Sequence, residues 1–467
     1  MKRRTDSTNR PRHPSTALNP TGGARHGHGS EVEKESSCGE TLFERALQRE
    51  NLLAAWKQVR ANKGAAGIDG MRVGEFPAFI RKHWEKIREK LLNGSYEPSP
   101  VKRVWIPKPD KSRRALGIPT VLDRVIQQAI AQVLSPVYEP TFSDHSYGFR
   151  PGRRAQDAIE ELQREGNKRR PKCQVVDCDL QQFFDTVDHR KLLDRLRESV
   201  SDRRLLGLIA KFLKAGVILP GGAFEETMQG VPQGGPLSPL MANVLLDEFD
   251  RELESRGHSF VRYADDFVIL CTSPRAGRRI LENVRRFLQQ RLKLIVNESK
   301  SKVVKLSEAA FVGFQILRGR VRWSGKSRKR FKATVKRLTG RTRGVSARQV
   351  IEELALYTRG ALNYYMIGVN FAEVRELDQW MRRRMRLYYW KQWGRPKTRR
   401  RRLIALGIDR DEVKRASRSR KGHWRMSRNS LVNCALSVDW LRRQGMPSLE
   451  KQWIAIRYPN GPKGSPG

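Results

Sequence analysis

The chain has 467 residues, 38% of them hydrophobic, and its 93 Lys and Arg against 49 Asp and Glu leave a formal charge of +44. That length exceeds one ordinary core and calls for two or three structural units, while a charge this one-sided points to a polyanionic partner, RNA or DNA. The absence of any run of membrane-spanning length and of an apolar stretch behind the basic N-terminus excludes a spanning protein and a secretory signal and gives a cytoplasmic expectation; five scattered cysteines without a Cys-x-x-Cys pair exclude a disulfide framework and a zinc ribbon.

Residues 1–40 are rich in Arg, His, Pro, Ser, Thr and Gly and lack apolar periodicity, so a disordered basic tail is predicted there. From Thr41 onward Leu42, Phe43, Ala46, Leu47, Leu52, Ala55, Trp56 and Val59 fall at helical spacing, a glycine-rich loop runs from Asn62 to Gly70, and a second amphipathic helix covers Phe76 to Leu92. Two strands, 101–106 and 116–118, flank a turn loaded with Lys and Arg, including Lys108 and Arg114. Such a turn is either solvated or reaches over a triphosphate. A helix is predicted over 123–134, then a loop at Tyr147–Arg153 that leads into another.

Gln174 to Leu180 alternates as a half-buried strand and places Asp177 and Asp179 on one face. Residues 228–239 hold three Gly and three Pro, which fixes backbone close to a ligand with Gln233 as a polar reader. Phe260 to Leu270 reads as strand, tight turn and strand, with Asp265 and Asp266 adjacent at the turn. Alone, that pair is as readily a solvated turn. Beside a third carboxylate on the 174–180 strand it makes a site for two Mg²⁺ ions about 3.5–4 Å apart.

Past Arg318 the composition becomes basic and 318–330 reads as a linker. Between Trp380 and Trp393 cations alternate with aromatics; the aromatics are expected in a core, and Arg382, Arg383, Arg384 and Arg386 are left for RNA. The last stretch, 402–458, mixes Trp424, Trp440 and Trp453 with many Arg residues and is expected to bind DNA. Cys434 and His423 stand alone there, so a metal-dependent nuclease module is not expected.

Taken in order, these blocks closely resemble the reverse transcriptase and maturase encoded by bacterial group II introns, of the type without a C-terminal endonuclease domain and similar to group IIC intron proteins. The resemblance rests on Ile106-Pro107-Lys108-Pro109 with Leu116-Gly117-Ile118-Pro119, Tyr147-Gly148-Phe149-Arg150-Pro151-Gly152, Asp179 with Phe183-Phe184-Asp185, Pro232 to Pro239, and Tyr263-Ala264-Asp265-Asp266. It continues through Leu294 to Ser301, Phe311 to Phe314 and Tyr357 to Gly368.

The resemblance implies an α+β, right-hand polymerase fold: fingers and palm over 41–317, the linker, an α-helical thumb and maturase segment over 331–401, and a small basic DNA-binding region over 402–467. It also implies Asp179, Asp265 and Asp266 as the catalytic, metal-binding triad. Asp179 is preferred to Asp177 because the family carries an aromatic five positions on, which is Phe184 here. Leu180 would add a backbone carbonyl to the metal, Phe184 would exclude a ribose 2′-hydroxyl, Lys108 and Arg114 would grip the triphosphate, and Gln233 would lie against the incoming dNTP. Arg150 joins the four later arginines as a nucleic-acid contact. The implied partners are group II intron RNA, an RNA template and a DNA primer or target. Two other roles fit the same blocks: a splicing-only maturase, and a reverse transcriptase recruited to another task such as defence.

Overall fold

A computed structural model describes residues 40–107 and 113–459. The tail expected over 1–40, apart from residue 40, and the turn residue Lys108 lie outside the described residues.

A capping box at Thr41, in which its hydroxyl accepts the Glu44 N–H and the Glu44 carboxylate accepts the Thr41 N–H, starts the first helix. The helices Leu42–Leu47 and Arg49–Ala61 turn Phe43, Ala46, Ala55 and Val59 inward, against the helix Val121–Tyr138. The Val121–Tyr138 helix buries Val125, Ile126, Ala129, Ile130, Val133 and Leu134. A helix apolar on so many sides has to be internal.

Strands β1 (Val101–Pro107) and β2 (Arg113–Ile118) pair antiparallel, from Lys102↔Ile118 to Pro107↔Arg113. Strand β3 (Gln174–Cys178) follows the helix Ala155–Lys168. The short strands β4 (Val217–Ile218) and β5 (Phe224–Glu225) complete the first sheet in the order β2-β1-β4-β5. Strands β6 (Phe260–Tyr263) and β7 (Asp266–Cys271), with β8 (Lys302–Lys305), build the second sheet around β3, in the order β6-β7-β3-β8.

The second sheet is covered on both faces, which is why β7 reads as an unbroken apolar run after Asp266. Val176, Cys178, Phe267 and Ile269 pack on one side with Leu245 and Phe249 of the helix Ser238–Ser255 and Val284 of the helix Pro274–Phe287. Val175, Val261, Val268 and Leu270 pack on the other with Ala158, Ile159 and Leu162 of the helix Ala155–Lys168.

The stretch 318–330, expected as a linker, is built. Strands β9 (Phe314–Leu317) and β10 (Arg320–Trp323) form a hairpin whose two turn residues, Arg318 and Gly319, both have positive φ (52° and 76°). That is the backbone a two-residue hairpin prefers. Val321 and Trp323 point inward from β10, Trp323 stacks on Tyr365 at 4.6 Å, and the helix Gly325–Leu338 starts at once.

The helices Gly325–Leu338, Ala347–Tyr365 and Phe371–Gln392 share a core of Phe331, Val335, Leu354, Met381 and Met385. A further core forms around Trp390, Trp393, Leu403, Val413 and Leu436. The expected boundary at 401/402 falls inside the helix Pro396–Ala405, and the change of core comes earlier, within the Phe371–Gln392 helix. Leu441, Met446 and Leu449 return to the first of these two cores. Among the described residues no helix is long and apolar enough to cross a membrane.

Candidate active site

Tyr263 faces Asp266 across the β6–β7 hairpin, so the turn consists of Ala264 and Asp265 alone. Ala264 has φ +59°, a left-handed conformation that costs a non-glycine residue about 1–2 kcal/mol. Arg262 holds it there. This arginine is fully buried, donates from Nη1 to the Ala264 carbonyl (2.9 Å) and to Asn243 Oδ1 (2.9 Å), and from Nη2 to Asp250 Oδ2 (2.6 Å). Asp250 is equally buried.

The loop 145–149 backs the same turn. The Tyr147 N–H donates to the Arg262 carbonyl, the Arg262 N–H to the His145 carbonyl, and Asn243 Nδ2 to the Gly148 carbonyl, all at 2.9 Å. A side chain at Gly148 would collide with the Ala264 nitrogen. Arg150 stabilises this loop from inside, donating to Glu139 Oε1 (2.8 Å) and to the Ser143 and Ser146 carbonyls. It is buried. The expected contact of Arg150 with nucleic acid is therefore replaced by a structural one.

Asp179 follows directly on β3, whose last pair with β7 is Cys178↔Phe267, so the strand register leads to Asp266. The Asp179 carbonyl accepts the Asn297 N–H (2.8 Å), its own N–H donates to Ser301 Oγ (3.2 Å), and its Oδ2 accepts from Lys300 Nζ (2.9 Å). Leu180 faces Val296 through bonds made by its neighbours Asp179 and Gln181, which leaves the Leu180 carbonyl out of that pairing.

The carboxylates crowd one another. Desolvation first, then the charges of Asp265, Asp179 and Asp177, push the Asp266 carboxyl up to about 7, with Lys300 pulling the other way. Burial also raises Asp265, against the pull of Arg114. Burial raises Asp177 as well, and Lys302 opposes it. Among the described residues no ready-made cluster of three or more His, Cys, Asp or Glu ligands is present; Lys300 instead supplies the positive charge at Asp179. An all-oxygen, mutually repelling set of this kind fits a hard divalent cation.

The crowding has a consequence for stability. A carboxyl raised in the fold stabilises it most below the ordinary range near 3.8, and that contribution is lost as the pH rises toward about 7. Asp266→Asn is expected to flatten the loss of Tm between pH 5 and 8 in chelator. Thermal melts at both pH values check this, and equal slopes for variant and wild type would refute the crowding.

Phe184 lies buried in the short helix Phe183–Thr186, edge-on to Phe183 at 5.2 Å and to Phe149 at 6.4 Å. The glycine- and proline-rich loop is clamped onto it: the Val231 N–H donates to the Phe184 carbonyl (2.6 Å), the Gly230 N–H to the Val187 carbonyl (2.7 Å), and His189 Nε2 bonds the Gly230 carbonyl (2.7 Å). Gly230 has φ +93°, and a Cβ there would press on the Asp185 carbonyl. Across the loop, the Gly117 N–H donates to the Gln233 carbonyl (2.8 Å) and Arg114 Nε to Gln233 Oε1 (2.7 Å). Arg114 and Gln233 thus meet, with the charge of Arg114 felt at Asp265.

Arg382, Arg383, Arg384 and Arg386 of the Phe371–Gln392 helix are half-buried and engaged within the protein. Arg382 pairs with the buried Asp378 (2.9 Å), Arg383 lies over the Trp424 ring (3.5 Å), Arg384 donates to Thr339 Oγ1 (2.8 Å) and Arg386 to the Leu436 carbonyl (2.9 Å). They tie this helix to its neighbours. The sequence leaves these four arginines for RNA; in the structure part of their guanidinium donors meet carbonyls and rings that no sequence pattern announces.

Comparison with known proteins gives these residues a setting. Residues 106–316 match the family model described as reverse transcriptase (RNA-dependent DNA polymerase), and residues 328–406 match the group II intron, maturase-specific domain. Protein YkfC of Escherichia coli (strain K12) is 34% identical over 330 residues, covering 60% of this chain and 84% of YkfC. The group II intron-encoded protein LtrA of Lactococcus lactis subsp. cremoris is 31% identical over 358 residues, 62% of this chain and 59% of LtrA. The chain belongs to the group II intron-encoded reverse transcriptases and maturases.

This reverse transcriptase is also similar to the putative COX1/OXI3 intron 2 protein of Saccharomyces cerevisiae, 25% identical over 61% of this chain and 40% of the yeast protein. Two solved structures, a partial Cas6-RT-Cas1–Cas2 complex and a Cas6-RT-Cas1–Cas2 complex, align with TM-scores of 0.34 at 24% and 17% identity. They cover 54% and 76% of this chain, which spans 43% and 48% of theirs. The reverse transcriptase match contains both walls of the β6–β7 turn, the end of β3, and the Arg114–Gln233 pair. Sequence reasoning did not pick out Arg262, Asp250 or Asn243, and it gave Gly148 no role beyond its place in the Tyr147–Gly152 block; the available signal was an arginine set inside an apolar strand.

Proposed function

We propose that this chain is an RNA-directed DNA polymerase that binds its group II intron RNA, assists its splicing and copies it during retrohoming. The observation that carries this reading is the convergence of Asp179, Asp265 and Asp266 where β3 meets the β6–β7 turn, with Arg114 and Gln233 alongside. In this reading the β2-β1-β4-β5 sheet belongs to the fingers, the β6-β7-β3-β8 sheet to the palm, residues 331–401 to the thumb and maturase segment, and 402–467 to a DNA-binding region.

Asp179, Asp265, Asp266 and the Leu180 carbonyl would hold two Mg²⁺ ions, for which Lys300, exposed on a flexible stem, releases Asp179 by side-chain rotation. Bound there, the ions would activate a primer 3′-hydroxyl and offset charge on the departing pyrophosphate. Arg114, with Lys108, neutralises the triphosphate, and Gln233, fixed by Arg114 and by its own carbonyl, lies against the incoming nucleotide. Arg262 keeps the turn from moving as charge develops beside it. In this reading the buried Phe184 ring is the gate that would exclude a ribose 2′-hydroxyl.

Phe184→Ala is expected to raise ribonucleotide incorporation relative to dNTPs by roughly one to two orders of magnitude, in line with the 1–3 kcal/mol of discrimination a pocket of this kind provides. Single-nucleotide incorporation with rNTP and dNTP in parallel measures the ratio. An unchanged ratio would place the gate at another side chain.

A further inference from the structure

A cavity of about 620 Å³ opens where the helix Ala155–Lys168, strand β10, the turn 366–368, the start of the Phe371–Gln392 helix and the last helix, Leu449–Arg457, come together. None of its lining residues belongs to the carboxylate site. Its volume lies within the ~300–1,000 Å³ of ordinary ligand pockets.

Two features of its wall are not explained by folding. Phe371, Trp453 and Tyr458 form an aromatic run, with centroids 5.5 and 6.2 Å apart, and Phe371 and Tyr458 remain 41% and 45% exposed. The Trp453 ring is fixed because its indole N–H donates to the Val369 carbonyl (3.0 Å). Arg320, Arg322 and Arg457 line the same cavity and make no ion pair or side-chain hydrogen bond among the described residues. Nearby Arg328, by contrast, is held by Glu373 and Glu376. Exposed aromatics beside unpaired arginines suit a base with its phosphates. Glu160 adds acceptors to the wall, as does Gln163, whose amide nitrogen is bound to the Gly319 carbonyl while its oxygen stays available.

We infer that this cavity is a second nucleic-acid site, which takes one unstacked nucleotide of single-stranded RNA outside the polymerase cleft. The base lies against the Trp453 run, the flanking phosphates meet the three arginines, and Glu160 and Gln163 accept from the 2′-hydroxyl or from base N–H groups. A free carboxylate acceptor favours RNA because the 2′-hydroxyl can donate to it and DNA has none. The inference rests on the reading of the chain as an RNA-binding protein, and it leaves the polymerase chemistry untouched.

The test uses the full chain and a short, unstructured single-stranded RNA carrying 4-thiouridine, with a DNA of the same sequence carrying 4-thiothymidine. After ultraviolet crosslinking and digestion, the RNA is expected on the peptide that contains Trp453 and Tyr458. Arg320→Glu with Arg457→Glu, both exposed positions, should reduce that crosslink at least tenfold and lower the log–log salt slope of RNA binding by roughly 1.4, about 0.7 for each single-strand phosphate lost. Tyr458→Ala should weaken RNA binding about tenfold, the order expected for one lost stack. Extension of a pre-annealed primer–template should be unchanged in both variants, so failure of this inference is separable from failure of the polymerase reading. An RNA crosslink that survives the double substitution, equal crosslinking of the DNA, or loss of heparin binding in parallel with RNA while Tyr458→Ala has no effect would each overturn it.

Discussion

Asp265→Asn is expected to lower DNA synthesis on an RNA template by roughly three orders of magnitude while RNA affinity stays unchanged. Asparagine keeps the shape of the turn and removes one of the charges that crowd Asp266. A metal-held oxygen contributes several kcal/mol to the transition state, and each ~1.4 kcal/mol is tenfold in rate. RNA binding depends instead on the basic balance of a chain whose formal charge is +44, which one carboxylate hardly alters. Asp179→Asn should behave alike. The measurement is single-turnover extension beside a filter-binding titration, and retained synthesis in either variant would sink the assignment of these carboxylates.

The second large effect is on the frame behind the turn. Arg262→Leu leaves Asp250, whose side chain is 0% exposed, without its partner, a situation that costs about 3–5 kcal/mol. It also frees the Ala264 carbonyl and Asn243. A large drop in Tm and loss of DNA synthesis are expected. Adding Asp250→Leu removes the stranded carboxyl, and replacement of both partners of a buried pair by apolar side chains is often neutral. The double variant should therefore recover most of the stability without recovering activity, since Ala264 is still unheld at φ +59°. A single variant as stable as the wild type would show that the pair does not hold the turn.

The Asp265-Asp266 hairpin could be read because its flanks are apolar and β-forming, and the register of β3 could be read because Val175, Val176 and Cys178 alternate around Asp177 and Asp179. The loop 228–239 was visible through its glycines, two of which, Gly230 and Gly234, take positive φ. The Arg262–Asp250 pair was not, because its members sit on different elements and a lone arginine in a strand gives no hint of its partner. For Arg382, Arg383, Arg384 and Arg386 composition recorded cations and could not record Asp378, Trp424, Thr339 or the Leu436 carbonyl in front of them. Over 318–330 the basic residues outweighed two signals that were present: Arg318-Gly319 as a hairpin turn, and Val321 with Trp323 at a period of two.

The most direct measurement is extension of a DNA primer annealed to an RNA template with all four dNTPs, in Mg²⁺ and again after chelation. Templated extension that stops on chelation and is lost in Asp179→Asn is the result required by a polymerase site at the junction of β3 and the β6–β7 turn. Extension that survives either change, or none by a wild-type protein that still binds RNA, would contradict it.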